Sequence, residues 1–249
     1  MAPVAPDLGT EVTVGVALLG GFHLRWSGRP LPGVPRASQR LLAFLALHAH
    51  LVNRAAIAGT LWPEASERHA YANLRAALVR VERACRGVLQ ASRLELRLAE
   101  GVTVDISQAR VLAWRLLDPG AELRPSDRGP ETLACLSGDL LPGWYDDWVL
   151  SEAEDWRQLR LHALEALADR LTAMGRWGEA ADAAGAAVRA EPLRESANAA
   201  LIRVHLAEGN QSEAVRQFDR YRALLDAELG LEPTPRLRRL VKDLQGRGR

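Results

Sequence analysis

Two segments in the C-terminal half of the chain repeat each other at a fixed distance. The stretches MGRWGEAADAAGAAVRAEP and EGNQSEAVRQFDRYRALLD align with an offset of 34 residues, which places Gly209 opposite Gly175. Ala180 falls on Ala214 in the same alignment. A repeated unit of this length buries its apolar face only against neighbouring units. The chain must therefore contain a stack of short helices and not an isolated pair.

The length of the repeat indicates its type. A period of 34 residues made of a helix, a turn and a second helix is the tetratricopeptide signature. Ala180, Ala184 and Ala187 have the small-residue spacing that allows two such helices to pack closely. In the second copy, Phe218 and Tyr221 replace two of these alanines, so the match to the pattern is partial.

Further helices must flank the two repeats to cover their apolar faces. The sequence predicts them at residues 151–174 and 233–244, after a turn around Pro142-Gly143. Long segments rich in Ala, Leu, Arg and Glu begin after Val104. We therefore predict an all-α, tetratricopeptide-like helical domain over residues 105–245.

The N-terminal part has a different pattern. Residues 1–11 are rich in Pro and Ala and are predicted to be a flexible leader. From Val12 onward, the run VTVGVALLGGFHLRWSGRPLPGV consists of short β-prone stretches interrupted by Gly and Pro, which indicates a small antiparallel sheet of three or four strands. This sheet opens a first folded domain, predicted to span residues 12–104.

Two short helices follow the sheet. The segment RASQRLLAFLALHAH, residues 36–50, has a helical apolar face and begins near Ser38, which we interpret as a capping residue. The segment NRAAIAGTLW begins at Asn53, a residue type that caps helices well. It ends before Pro63, because proline disfavours helix in the residue that precedes it.

A longer basic helix comes after the polar turn PEASER and contains the stretch YANLRAALVRVERACRG, residues 71–87. Two short helices, a turn and a basic helix form the core of a helix-turn-helix. The next segment, VLQASRLELRL, has β-prone residues on both sides of Ala91-Ser92-Arg93 and is predicted to be a hairpin. A hairpin directly after the recognition helix is a wing, so the first domain is predicted to be an α+β winged helix-turn-helix.

The basic helix has two distinct sides when it is drawn at about 100° per residue. The apolar stripe around Leu74 contains Tyr71, Ala77, Leu78, Val81 and Cys85. The opposite side contains His69, Ala72, Asn73, Ala76, Arg80 and Arg83, with Arg68 and Arg75 at its flank. Arginine can donate two hydrogen bonds to guanine, and asparagine can pair similarly with adenine. Flanking arginines are better placed for phosphates.

The charge of the chain allows two interpretations of this helix. The net charge is only +1, but residues 1–104 carry 12 arginines and 7 acidic residues, whereas the remainder carries 20 basic and 24 acidic residues. Arginine supplies every positive charge except Lys242, so an arginine-rich coding bias or a solvated helix face would give the same excess. The preceding helices and the following wing favour contact with double-stranded DNA.

These features together resemble a known family. The segment ANLRAALVRVERA, residues 72–84, and Leu61-Trp62-Pro63 are similar to the winged-helix domain of the Streptomyces antibiotic regulatory protein family. The run from GRWGEAA to EPTPRLRRL is similar to the bacterial transcriptional activation domain of the same family. The resemblance covers about residues 14–245.

The resemblance implies a function and a set of roles. Such proteins activate promoters of specialised-metabolite gene clusters, bind direct repeats as two copies side by side, and recruit RNA polymerase holoenzyme. Residues 68–83 would read the major groove, and Arg93 in the wing would contact the minor groove or the backbone. Glu64 and Glu67, in the turn before the basic helix, are candidates for a polymerase contact. Alternatively, these two carboxylates interact favourably with the N-terminus of the helix.

No motif in the sequence predicts catalysis. The pattern HAH at His48 and His50 has no carboxylate partner, Cys85 and Cys135 form no metal-binding motif, and no phosphate-binding loop is present. Scattered tryptophans, including Trp114 and Trp177, are expected to pack in cores or interfaces. We expect no enzyme activity, no cofactor, no metal, no membrane association and a cytoplasmic location. A tetratricopeptide adaptor whose winged helix contacts proteins, and an enzyme of unrecognised type, remain alternative hypotheses.

Overall fold

The computed structural model describes residues 13–245, and side chains are described for residues 13–242. The leader predicted for residues 1–11, and Val12, lie outside the described residues. The chain forms two compact units. The first unit contains residues 13–108 together with 139–153, and the second contains residues 109–138 together with those from 154 onward.

The first unit begins with a four-stranded sheet. Its strands are β1 (Val14–Ala17), β2 (His23–Trp26), β3 (Arg29–Pro30) and β7 (Thr103–Val104), in the order β3-β2-β1-β7. The first three are antiparallel neighbours, as predicted, but β7 pairs with β1 in parallel, with Thr103 opposite Gly15. The carboxylate of Asp105 accepts hydrogen bonds from the backbone N–H groups of Leu18 and Leu19 and so fixes this pairing.

Three helices follow, namely α1 (Arg36–Leu47), α2 (Arg54–Leu61) and α3 (Glu67–Ala84). The predicted cap of α2 is confirmed, because Asn53 Oδ1 accepts a hydrogen bond from the Ala55 N–H at 2.8 Å. The predicted cap of α1 is wrong. The helix begins one residue after Pro35, and Ser38 is buried within it, with its hydroxyl directed at the Ala77 carbonyl of α3.

A second sheet completes the winged helix. It contains β4 (Val52–Asn53), β5 (Leu89–Ala91) and β6 (Glu95–Leu98), in the order β4-β6-β5. Strands β5 and β6 are antiparallel, with Leu89 opposite Leu98, which confirms the predicted hairpin. The short strand β4 pairs with β6 immediately before α2, so the wing is attached to the start of that helix.

Residues 139–153 fold onto the first unit although they are distant from it in sequence. Leu140 forms a β-bridge with Leu19, and the Leu141 N–H donates to the Leu18 carbonyl at 2.9 Å. The guanidinium of Arg36 lies 3.5 Å from the centre of the Trp144 ring. Cation–π contact and backbone pairing therefore hold this segment, which we call the strap, against β1 and α1.

The second unit is helical. Its helices are α4 (Asp105–Leu117), α5 (Pro130–Ser137), α6 (Asp147–Ala173), α7 (Trp177–Ala190), α8 (Glu195–Glu208), α9 (Gln211–Leu229) and α10 (Pro235–Gln245), and a 3-10 turn occupies Pro125–Arg128. The division between the units falls within α4 and α6. No helix in the part of the chain that the structure describes is long and apolar enough to cross a membrane.

Helices α7 to α10 pack against one another in sequence, and α8 to α10 share a core that includes Ile202, Phe218 and Tyr221. Trp156 is buried, which agrees with the expectation that the tryptophans pack in cores or interfaces. Trp114, which is 64% exposed, and Trp177, which is also exposed, do not pack in a core of the described residues. Trp114 lies on the same exposed side of α4 as Val111, three residues earlier.

The strap provides a matched pair of side chains for a test of its contribution to stability. Leu140 is 3% exposed and Tyr145, five residues later, is 83% exposed. We expect Leu140→Ala to lower the free energy of unfolding by about 2–5 kcal/mol, because it leaves a cavity under the strap. Tyr145→Ala should change it by no more than about 0.5 kcal/mol. Urea unfolding of the full chain checks both values, and equal effects of the two variants would contradict the packing described.

Candidate nucleic-acid interface

The inner face of α3 is anchored in the core of the first unit. Ala70, Leu74, Ala77 and Val81 are buried and recur at helical spacing, and α3 packs against both α1 and α2. The Ser38 hydroxyl donates to the Ala77 carbonyl at 3.3 Å and adds a polar contact between α1 and α3. These contacts set the rotation of α3 about its axis, so the opposite side of the helix faces solvent.

All the residues predicted for base and phosphate contact on this helix are exposed. They are Arg68, His69, Ala72, Asn73, Arg75, Ala76, Arg80 and Arg83. Within the described residues, none of the four arginine side chains forms an ion pair or a hydrogen bond. The structure therefore brings these residues together as one positively charged surface, which we call the α3 face. Their contact with DNA remains a prediction.

His69 differs from its neighbours because one of its ring nitrogens already has a partner. Its Nδ1 lies 2.8 Å from the hydroxyl of Ser66, the residue before the first turn of α3. This hydrogen bond holds the ring near the N-terminus of the helix. The other ring nitrogen, Nε2, is the one left to contact a ligand.

The wing turn is built around Ser92. Its N–H donates to the Glu95 carbonyl at 2.9 Å, and its hydroxyl accepts from the N–H groups of Leu94 and Glu95. The Arg54 guanidinium donates to the Ser92 carbonyl at 3.0 Å and links the turn to α2. Arg93 is exposed at the tip and, among the described residues, forms no ion pair. Its charge is thus available to a partner, and its contact with DNA stays a prediction.

The other wing arginine is already neutralised. The Arg97 guanidinium donates to the side chains of Gln90 and Glu100, each at 2.6 Å. These contacts lie within and beside the hairpin and help to hold its two strands together. Positive charge on the wing is therefore concentrated at Arg93.

The turn between α2 and α3 presents two carboxylates. The Ala65 N–H donates to the Trp62 carbonyl at 3.1 Å and closes the turn. Glu64 and Glu67 are exposed, and Glu67 occupies the first turn of α3, where a negative charge interacts favourably with the helix dipole. Both the structural role and the predicted protein contact are compatible with this position.

Sequence reasoning missed one member of the α3 face. Val79 is 53% exposed, although it is apolar and lies in a helix that has a buried stripe. On a helical wheel it lies about 140° from Leu74, between the positions of Arg75 and Arg83. The sequence contained a signal for the exposure of Val79, because an apolar residue on the polar side of the helical wheel breaks the amphipathic pattern.

Two titratable groups of the first unit, Cys85 and His48, are held by packing. Burial, and then the charge of Glu82, raise the pKa of the Cys85 thiol above its usual value, so the reactive thiolate is disfavoured. His48 Nδ1 lies 2.7 Å from the Phe44 carbonyl, and its ring stacks on Phe44. Within the described part of the chain, no group of three His, Cys, Asp or Glu residues is arranged to hold a metal ion.

Comparison with known proteins agrees with this architecture. The family model of the bacterial transcriptional activator domain matches residues 104–245. Among solved structures, the chain is similar to Mycobacterium tuberculosis EmbR in complex with a low-affinity phosphopeptide, with a TM-score of 0.64 and 21% identity. That alignment covers 95% of this chain and 66% of EmbR, so the chain spans just under two thirds of the length of EmbR. A search of curated protein sequences gave no significant match.

The structural match and the family-model match establish different properties, the fold and the family. At 21% identity, the likeness to EmbR establishes a shared fold, a small N-terminal β region with a winged helix followed by a helical domain. The activator-domain match extends over more than half of the chain and establishes the family. A winged helix-turn-helix followed by this domain is the arrangement predicted from the sequence, and the chain therefore belongs to the Streptomyces antibiotic regulatory protein family.

Proposed function

We propose that this chain is a sequence-specific DNA-binding transcriptional activator that reads promoter DNA with the α3 face. The observation that supports this proposal most strongly is that one side of α3 is exposed and that its arginines have no charge partner among the described residues. Because the other side is buried in a helix-turn-helix, the basic side is the one presented to a partner. Phosphates of double-stranded DNA are the natural complement of such a surface.

The residues of the α3 face have distinct proposed roles. Arg80 and Arg83 would donate to the edges of guanines, and Asn73 would pair with an adenine. Ala72 and Ala76 are small and would allow the helix backbone to approach the floor of the major groove. His69 would contribute a single polar contact through Nε2.

The remaining basic residues would position the protein. Arg68 and Arg75 lie at the flank of the α3 face, where the walls of the groove carry phosphates. Arg93 at the wing tip would contact the backbone or the adjacent minor groove. These contacts would raise affinity for every DNA sequence and would give binding a strong salt dependence.

Family membership suggests the biological setting. We propose that the target promoters belong to a specialised-metabolite gene cluster and that two copies of the protein bind side by side to direct repeats. Bound there, the protein would recruit RNA polymerase holoenzyme. Glu64 and Glu67 are the proposed contact in the first unit, because two exposed carboxylates beside a basic DNA-binding face suit a basic protein surface better than phosphate.

We propose that the helices of the second unit are tetratricopeptide-like and act as a protein-interaction module. The 34-residue offset places buried Ala184 of α7 on buried Phe218 of α9, and buried Ala187 on buried Tyr221. Gly209 adopts a left-handed conformation, with a φ of 90°, at the end of α8. A sharp turn between packed helices at that point is what a helical repeat requires.

The proposed function is tested by titrating DNA from upstream of neighbouring genes with the full-length chain in a gel-shift assay. We expect a shift whose affinity falls linearly on a log–log plot as salt is raised. A scrambled duplex should bind more weakly at the same salt concentration. Absence of a protein-dependent shift at low salt would exclude the activator and favour an adaptor that contacts proteins only.

Substitution of single arginines should separate base contact from phosphate contact. Arg80→Ala should weaken binding to the preferred site by about 1–3 kcal/mol and reduce discrimination at one base pair. Arg93→Ala should weaken all sequences similarly and reduce the salt slope by about one. Arg216→Ala, an exposed arginine in α9, is the matched control and should leave DNA binding unchanged. An unchanged base preference in Arg80→Ala would assign Arg80 to the backbone instead.

The proposed polymerase contact predicts a defect in activation without a defect in binding. Replacement of both Glu64 and Glu67 by Ala removes two charges that phosphate would repel, so promoter affinity should be unchanged or slightly higher. Activated transcription in a reconstituted assay should fall several-fold. The double replacement by Asp keeps both charges and should activate normally. Full activation by the double Ala variant, with normal folding, would exclude these residues from the contact.

Binding of two copies to direct repeats predicts a dependence on helical phase. Sites on one face of DNA recur about every 10.5 base pairs. Insertion of about 5 base pairs between the repeats should therefore abolish cooperative binding, and insertion of about 10 should restore part of it. Quantitative footprinting of both half-sites measures this effect, and equal cooperativity at every spacing would contradict side-by-side binding.

A further inference from the structure

Val79 is the one large apolar side chain that α3 exposes, and it lies within the α3 face. Its exposed fraction is 53%, whereas the apolar residues of the inner face, such as Leu74 and Val81, are buried. All residues of α3 have described side chains, so this contrast holds for the whole helix. The helical pattern assigns apolar residues to the core, so it predicts no role in DNA binding for Val79.

Three of the four neighbours of Val79 on the helix surface are residues of the α3 face. Residues three or four positions apart are adjacent on a helix, so Val79 lies beside Ala76, Arg75 and Arg83. The fourth neighbour is Glu82, which is ion-paired with Arg86. Val79 is about 40° from the centre of the face, which is closer than Arg80 at about 60°. A side chain at this position would enter the major groove together with the arginines.

Val79 does not contribute to folding in a way that explains its presence. An exposed valine gains little from burial, and a β-branched residue lowers helix propensity relative to alanine. Alanine already occupies positions 72 and 76 on the same face. The two methyl groups of Val79 therefore add little to the stability of the helix, and contact with a ligand explains their presence better.

The major groove offers one apolar group that would complement these methyl groups. Thymine carries a 5-methyl group at the groove surface, and aliphatic side chains distinguish thymine by contacting it. We infer that Val79 is a specificity-determining residue that contacts a thymine methyl group, while the arginines beside it contact guanines. This inference rests on the proposed DNA-binding function and adds a residue and a base preference to it.

The inference is tested by removing either the thymine methyl group or the two methyl groups of Val79. The probe is a duplex selected from a randomised pool by the full-length chain, and each thymine in it is replaced singly by deoxyuridine. At one position we expect the wild-type protein to lose about fourfold in affinity, which corresponds to about 0.8 kcal/mol for one methyl group. Val79→Ala should bind the thymine duplex with an affinity lower than that of the wild type by a similar factor. Replacing that thymine by deoxyuridine should cause no further loss of affinity in this variant.

A matched control separates this effect from general changes in the protein. Val111 in α4 is 66% exposed, and Val111→Ala should bind every duplex as the wild type does. Circular dichroism should show that Val79→Ala is folded, because alanine is the better helix former. Two results would overturn the inference while leaving sequence-specific binding intact. In the first, Val79→Ala loses as much affinity as the wild type when thymine is replaced by deoxyuridine. In the second, the wild type loses no affinity at any replaced thymine. If the randomised pool yields no preferred sequence, both the inference about Val79 and the proposed sequence-specific binding are wrong.

Discussion

The burial of one side of α3 is the interaction on which the DNA-binding surface depends. Leu74, Ala77 and Val81 pack into the core at spacings of three and four residues, and the small side chain of Ala77 lets α1 approach closely enough for Ser38 to reach its carbonyl. A shift of one residue along the helix would rotate it by about 100° and would bury charged groups in the core. The core thereby fixes which residues of α3 face solvent.

The strap shows that the folded unit around α3 is not a continuous stretch of sequence. Residues 139–153 pair with β1 and place Trp144 against Arg36 at the start of α1. Strand β7 also reaches β1 from far along the chain. Chain order alone would separate the winged helix from everything after residue 104. The strap nevertheless belongs to the first unit, although it lies within residues 104–245, which match the activator domain.

The features that could be predicted from the sequence were those encoded locally. The Asn53 cap, the hairpin of β5 and β6, and the exposure of Arg80 and its neighbours all follow from turn chemistry or helical period. The features that could not be predicted depend on distant contacts. Ser38 looked like a cap because serine often caps helices, but its actual partner is 39 residues away. Trp114 and Val79 are exposed because exposure is decided by what packs against a face, and residue type alone does not determine it.

The central claim, that the α3 face contacts bases, can be tested most directly by photo-crosslinking from a single position. A photoreactive amino acid at Ala76, an exposed small residue of α3, would lie in the major groove if the claim is correct. We expect a crosslink to a base within the selected site, which weakens as salt is raised and is absent with the same group at the exposed Gly178 of α7. A crosslink to protein alone, or equal DNA crosslinking from both positions, would contradict it.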